Sequence, residues 1–171
     1  IDKFPFASQT NASNIANITQ ARYGGSGSSS TTHMYCVAGT DNSTYLDTVD
    51  KSTFSSDANS TDVGNLITGT EGCASANSNT HLYASGGLGP GNVITTRIEK
   101  IAYASDTNGI SVGDVIPSQT YVTGVSSSTH GYTAGGSTAP ISNQINTFSF
   151  SSDGDATDVG DLTVSRGQMA G

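Results

Sequence analysis

The chain has 171 residues and a formal net charge of −8, from six basic and fourteen acidic side chains. That balance argues against nucleic acid, whose phosphates demand clustered Lys and Arg, and against an anionic membrane surface; no apolar run approaches the ~18 residues of a membrane span. Ser and Thr supply 49 residues and Trp is absent, a composition that suits solvent-facing strands and turns and points to an extracellular or particle-surface protein.

The first element is a strand over Ile1–Phe6, and it returns as Val49–Phe54, Ile98–Tyr103 and Ile145–Phe150, at spacings of 48, 49 and 47 residues. Position one is aliphatic and position six aromatic, which places them on opposite faces of a sheet packed on both sides. A Ser/Asp/Asn/Gly turn follows each copy. Next comes a short segment with Val and Leu or Val flanking Gly (Thr61–Leu66, Ser111–Val115, Thr157–Leu162), read as an edge strand with a bulge. Arg22 and Arg166 then align with Thr70 and Gln119, and the arginines are expected to anchor loop carbonyls of the adjacent repeat.

Ser-rich tracts lead into alternating strands over Thr32–Gly39, Thr80–Gly87 and Thr129–Gly136. Each carries a His, a Tyr two residues on, and a closing glycine (Gly39, Gly87, Gly136) where a left-handed or crowded backbone is expected. Polar loops (Thr40–Thr48, Leu88–Arg97, Ser137–Gln144) return the chain to the next repeat. No 3.6-residue period persists, so no helix is expected. Four short strands per repeat of this length describe a propeller blade.

Strands ending in Gly-Gly, then a variable loop, then an aromatic-bearing strand resemble the kelch repeat. The wording Phe148-x-Phe150, Ala156-Thr-Asp-Val-Gly-Asp-Leu162 and Ser127-Ser-Thr-His-Gly-Tyr-x-x-Gly-Gly136 is similar to kelch-like repeats of tailed-phage virion proteins, especially marine ones. The sequence departs from standard kelch in lacking the outer-strand tryptophan, with Phe54, Tyr103 and Phe150 nearest that role, and in having Ala38-Gly39 for the first glycine pair. The resemblance implies an all-β, kelch-like β-propeller segment of four-stranded antiparallel blades, about three and a half repeats. Residues 1–18 would be the outer strands of a first blade, 19–67, 68–116 and 117–163 full blades, and 164–171 the inner strand of a further one, the whole being part of a longer propeller. It also implies a structural or adhesive virion module (tail fibre, tail or capsid decoration) at the virion surface, whose partners are other virion subunits, further copies of itself or a host surface glycan. The alternatives are a secreted or surface propeller of cellular origin and a glycan-active enzyme domain.

Chemistry-bearing residues recur with the repeat, and that recurrence favours structural roles. His33, His81 and His130 occupy equivalent positions, and a metal site would need them to converge on one ion. Tyr35, Tyr83 and Tyr132 repeat likewise. Lys3, Lys51 and Lys100, replaced by Thr147, read as guards of an exposed edge. Asp and Asn residues read as turn pins, and Glu71 and Glu99 as solvent-facing. No Ser–His–acid set is organised and no pair of carboxylates is singled out, so no catalytic residue, metal or cofactor is assigned. Two buried free thiols at Cys36 and Cys73 are preferred over a single disulfide. Recognition belongs on the unequal loops, where Tyr45, Asn92 and Arg97 are the candidate ligand-binding residues.

Overall fold

A computed structural model describes residues 1–168. Two short strands come first, β1 (Asp2–Lys3) and β2 (Ser13–Asn14), paired antiparallel. A four-stranded sheet follows in chain order: β3 (Ser26–Ser29), β4 (His33–Val37), β5 (Thr48–Thr53) and β6 (Thr61–Asn65). The second sheet starts with β7 (Ala74–Asn77) and β8 (His81–Ser85), then detours through a small hairpin, β9 (Leu88–Gly89) and β10 (Val93–Ile94), joined by a 3-10 turn at Pro90–Asn92. It ends with β11 (Arg97–Ala102) and β12 (Ile110–Asp114). The third contains β13 (Thr123–Ser126), β14 (His130–Ala134), β15 (Gln144–Ser149) and β16 (Thr157–Asp161). The protein is therefore all-β, with three four-stranded antiparallel sheets and two small ones.

The repeated strand starts one residue earlier than position one in its second, third and fourth copies, and in the first copy is reduced to Asp2–Lys3. The aromatic at position six consequently lies just past the strand end, free to turn toward a neighbouring sheet. The anticipated bulge is present in all three sheets, with register shifts at Thr48/Asp50, Ile98/Glu99 and Ile145/Asn146. Gly39, Gly87 and Gly136 take φ of 109°, 107° and 124°, a region closed to most side chains. Residues 164–168 carry no strand, and 169–171 of the expected inner strand lie outside the described residues.

The two apolar cores lie between sheets. One joins Tyr35, Val37, Val49 and Leu66 of the first sheet to Cys73, Leu82, Ala84 and Ile101 of the second. The other joins Ala76, Tyr83, Ile98 and Val115 to Phe148, with Phe150 and Ala156 against it. Each seam repeats the same contacts. Tyr35 stacks on Tyr103 with centroids 4.9 Å apart, and Tyr83 on Phe150 at 4.8 Å, geometry that adds about 0.5–1.5 kcal/mol beyond burial.

Lys3, Lys51 and Lys100 do not guard an edge. Each reaches the turn of the following sheet, pairing with Asp57, Asp106 and Asp153 at 2.9, 2.9 and 2.6 Å. Two residues beyond each of those aspartates, Asn59, Asn108 and Asp155 accept the backbone N–H of Asn17, Asn65 and Asp114 at 2.9–3.0 Å. Gly64 makes that approach feasible, since a Cβ there would sit 2.5 Å from the Thr107 carbonyl oxygen.

Candidate functional site

The loops following Gly39, Gly87 and Gly136 share one end of the molecule. Thr40, Leu88 and Ser137 each bond the backbone just ahead of β3, β7 and β13, at Tyr23, Glu71 and Thr120. These approach segments are themselves tied together, Gly72 N–H donating to the Gly24 carbonyl and Gln168 N–H to that of Tyr121. Between them opens a cavity of about 470 Å³ bordered by Tyr23, Gly24–Gly27, Gly72–Ser75, Tyr121–Gly124 and Gln168.

Its chemistry centres on Tyr121 and Glu71. Gly24 and Gly72 hold φ of 65°, and Tyr121, at the same repeat position, adopts φ of 50° despite its side chain. A left-handed non-glycine residue costs roughly 1–2 kcal/mol and persists where surrounding contacts determine it. Here the phenol donates to Glu71 Oε1 at 2.6 Å. The Tyr121 pKa is pushed up to about 12, first because its proton bridges to the Glu71 carboxylate and then by burial. Glu71, expected in solvent, is buried; the tyrosine donor removes the penalty of placing a carboxylate there. Tyr23 is 54% exposed at the cavity rim, its hydroxyl donating to Asn42 Oδ1 at 2.9 Å. Tyr45 lies within electrostatic reach of Tyr121.

The loop from Thr40 is pinned by Asp41, whose Oδ1 accepts from the Ser43 hydroxyl and from the Ser43 and Thr44 N–H groups. The Ser43 hydroxyl leads the bonds that hold its pKa below the usual carboxylate range. The three loop candidates sit in different local settings. Tyr45 is half-buried and bridges Thr40 through its backbone, and Asn92 is exposed at the end of the 3-10 turn. Arg97 sits at the start of β11 and donates Nε to Glu99 Oε1 at 3.2 Å. Glu99 is also buried, contrary to expectation, and takes the Ile67 N–H at 2.8 Å as well. A second cavity, of about 460 Å³, borders Arg97, Thr68, Val93 and Thr95 and includes neither Tyr45 nor Asn92.

At the opposite end, each histidine ring meets the hydroxyl of its preceding threonine, through Nδ1 of His33, His81 and His130 at 2.8, 2.8 and 2.9 Å. Each histidine backbone N–H donates to a serine Oγ three residues earlier at 3.0 Å. The rings thus serve their own turns, and burial lowers the pKa of His81. Tyr35 and Tyr83 stack across seams, whereas Tyr132 contacts only His130 among the aromatics of the described residues.

Arg22 does not bind the adjacent repeat. Its guanidinium bonds the Ala38 and Thr48 carbonyls of its own sheet and forms a buried ion pair with Asp50. Arg166 is exposed and donates Nε to the Val164 carbonyl, while its own carbonyl accepts the Gly136 N–H at 2.9 Å. Cys36 and Cys73 are free, but only Cys73 is buried, Cys36 being half-buried; burial raises both thiol pKa values.

Sequence reasoning missed Tyr23, Glu71 and Tyr121. The available signal was a bulky residue at position 121, where earlier copies carry Gly24 and Gly72. No protein-family model matches the chain, and no curated protein matches it either.

Proposed function

We propose that the chain is a non-catalytic adhesive module of kelch-like β-propeller type, carried on a tailed-phage virion, whose loop-bearing end binds a neutral glycan. The observation that carries the binding reading is Tyr121, held left-handed beside a cavity with its phenol committed to a buried carboxylate. Such an arrangement fixes a polar, aromatic surface before any ligand arrives, and preorganisation of that kind favours binding. Tyr23 offers a ring for stacking on a sugar face, with Gln168 and backbone groups for its hydroxyls. The net charge of −8 disfavours a polyanionic ligand.

Support for a non-catalytic role comes from the lining, which contains no Asp, Glu or His among the described residues. Glu71 stands behind Gly24 and Tyr121, and no carboxylate among the described residues lines the cavity to share acid and base duties with it. The virion assignment rests on the wording of the repeats, and mass spectrometry of purified tailed-phage particles would find the chain there or refute it.

Binding is tested by titrating the purified chain against a panel of neutral and anionic oligosaccharides. Selective binding of neutral members, weakened about tenfold or more by Tyr23→Ala, is the expected result. Absence of binding across the panel, or binding indifferent to Tyr23→Ala, would overturn the glycan reading.

A further inference from the structure

The repeat leaves its seam chemistry unmatched at two places, and the two are complementary. On the third sheet, all five residues of β16 are exposed, whereas the last three of β6 and of β12 are partly covered by the sheet that follows. Leu66 and Val115 are buried, but their counterpart Leu162 is only half-buried. A Cβ at Gly160 would meet nothing within 4 Å, while its counterpart Gly64 abuts the Thr107 carbonyl. Tyr132 has no aromatic from a following sheet, unlike Tyr35 and Tyr83.

The other face is built by residues 1–14. Phe6 occupies the position of Tyr103 and Phe150 and is 97% exposed. Asn11 occupies the position of Asn59, Asn108 and Asp155, which elsewhere accept an outer-strand N–H. The charges confirm the match. Lys and Asp face each other at three seams; on the third sheet the lysine position holds Thr147, and in the first segment the aspartate position holds Gln9. Both halves of the ion pair are replaced together, so the two faces meet without stranding a charge. An unpaired charge at a covered seam would cost more than any of the three Lys–Asp pairs contributes.

The geometry points to head-to-tail association of two copies of this chain, in which residues 1–14 of one copy cover β14–β16 of the other, with Phe6 on Tyr132, Asn11 Oδ1 accepting the Asp161 N–H, and Gln9 opposite Thr147. This continues the interface already present between the sheets. The copy that supplies β14–β16 also places its own Arg166 where Thr70 and Gln119 stand at the earlier seams, its carbonyl taking the Gly136 N–H as theirs take those of Gly39 and Gly87. The contact is heterologous, so it propagates into a ring or filament according to its rotation. It is independent of the glycan reading.

Sedimentation velocity over a concentration series tests it. The wild-type chain is expected to associate, and Phe6→Ser and Tyr132→Ala each to weaken association about tenfold, with unchanged circular dichroism because neither side chain supports a core. Mixing the Thr147→Lys variant with the Gln9→Asp variant restores the ion pair of the other seams and is expected to yield mixed complexes tighter than the wild type and weakened by salt. A Gln9→Lys/Thr147→Lys double variant is expected to stay monomeric. A monomeric wild type, or association unmoved by both Phe6→Ser and Tyr132→Ala, would overturn the proposal.

Discussion

The first and third sheets place polar side chains at the same buried positions and treat them in opposite ways. In the first sheet, Asp50 is 1% exposed and fully engaged. Arg22 pairs with it, the Thr19 hydroxyl donates to Oδ1 at 2.6 Å and the Thr19 N–H to Oδ2 at 3.2 Å. In the third sheet the corresponding residues are Gln119 and Asn146, both fully buried. Gln119 Oε1 accepts from Thr133 at 3.1 Å, but its Nε2 and both amide atoms of Asn146 have no partner among the described residues. A buried charge must be matched group for group, because its desolvation costs several kcal/mol. A neutral amide left unpaired costs about 1–3 kcal/mol, which a repeat can tolerate once the rest of the sheet is packed. The second sheet is intermediate: Glu99 is ligated by Arg97 and the Ile67 N–H, while Thr70 Oγ1 has no partner among the described residues.

This contrast can be broken at its charged end first. Arg22→Ala strands Asp50 in the interior and is expected to destabilise the chain by about 3–5 kcal/mol. Urea denaturation would measure it, and a loss no larger than that of Gln119→Ala would remove the distinction between the sheets. Asn146→Val, which exchanges an unpartnered amide for an apolar group of similar size, is expected to be neutral or stabilising by up to ~1 kcal/mol. A loss above ~2 kcal/mol would mean that the amide is engaged after all.

The smallest effect is the pH dependence at Tyr121. Its pKa in the folded chain is raised from 10.0 to about 12, so the folded state retains a proton that the unfolded chain releases. The stabilisation is complete below pH 10 and is lost as pH rises from 10 toward 12. Tyr121→Phe should flatten stability across that window in thermal melts. An unchanged slope would show that the Glu71 contact does not govern it.

The strands were legible in the sequence because their causes are local. The 48-residue spacing, the aromatic at position six and the bulge beside Gly64, Gly113 and Gly160 all follow from side-chain period and backbone sterics. So do the left-handed glycines and the turns in which His33, His81 and His130 bond their own threonines. The misread residues are those whose partners lie a repeat away. Lys51 looked like an edge guard until the second sheet brought Asp106 to it, 55 residues on. Glu71 looked solvent-facing until Tyr121 arrived from the third sheet, 50 residues on. Arg97 looked like a loop ligand, but the strand pleat places Glu99 two residues ahead on the same face, where burial favours the pair.

The sequence by itself thus determined an all-β chain of repeated four-strand units, since periodicity and glycine placement act within a few residues. Tertiary structure alone decided which polar groups face each other, because two sheets must close to about 10 Å before a side chain has a partner across the seam. It also created the Tyr23–Tyr121 cavity, whose walls come from three repeats and from Gln168 beyond them.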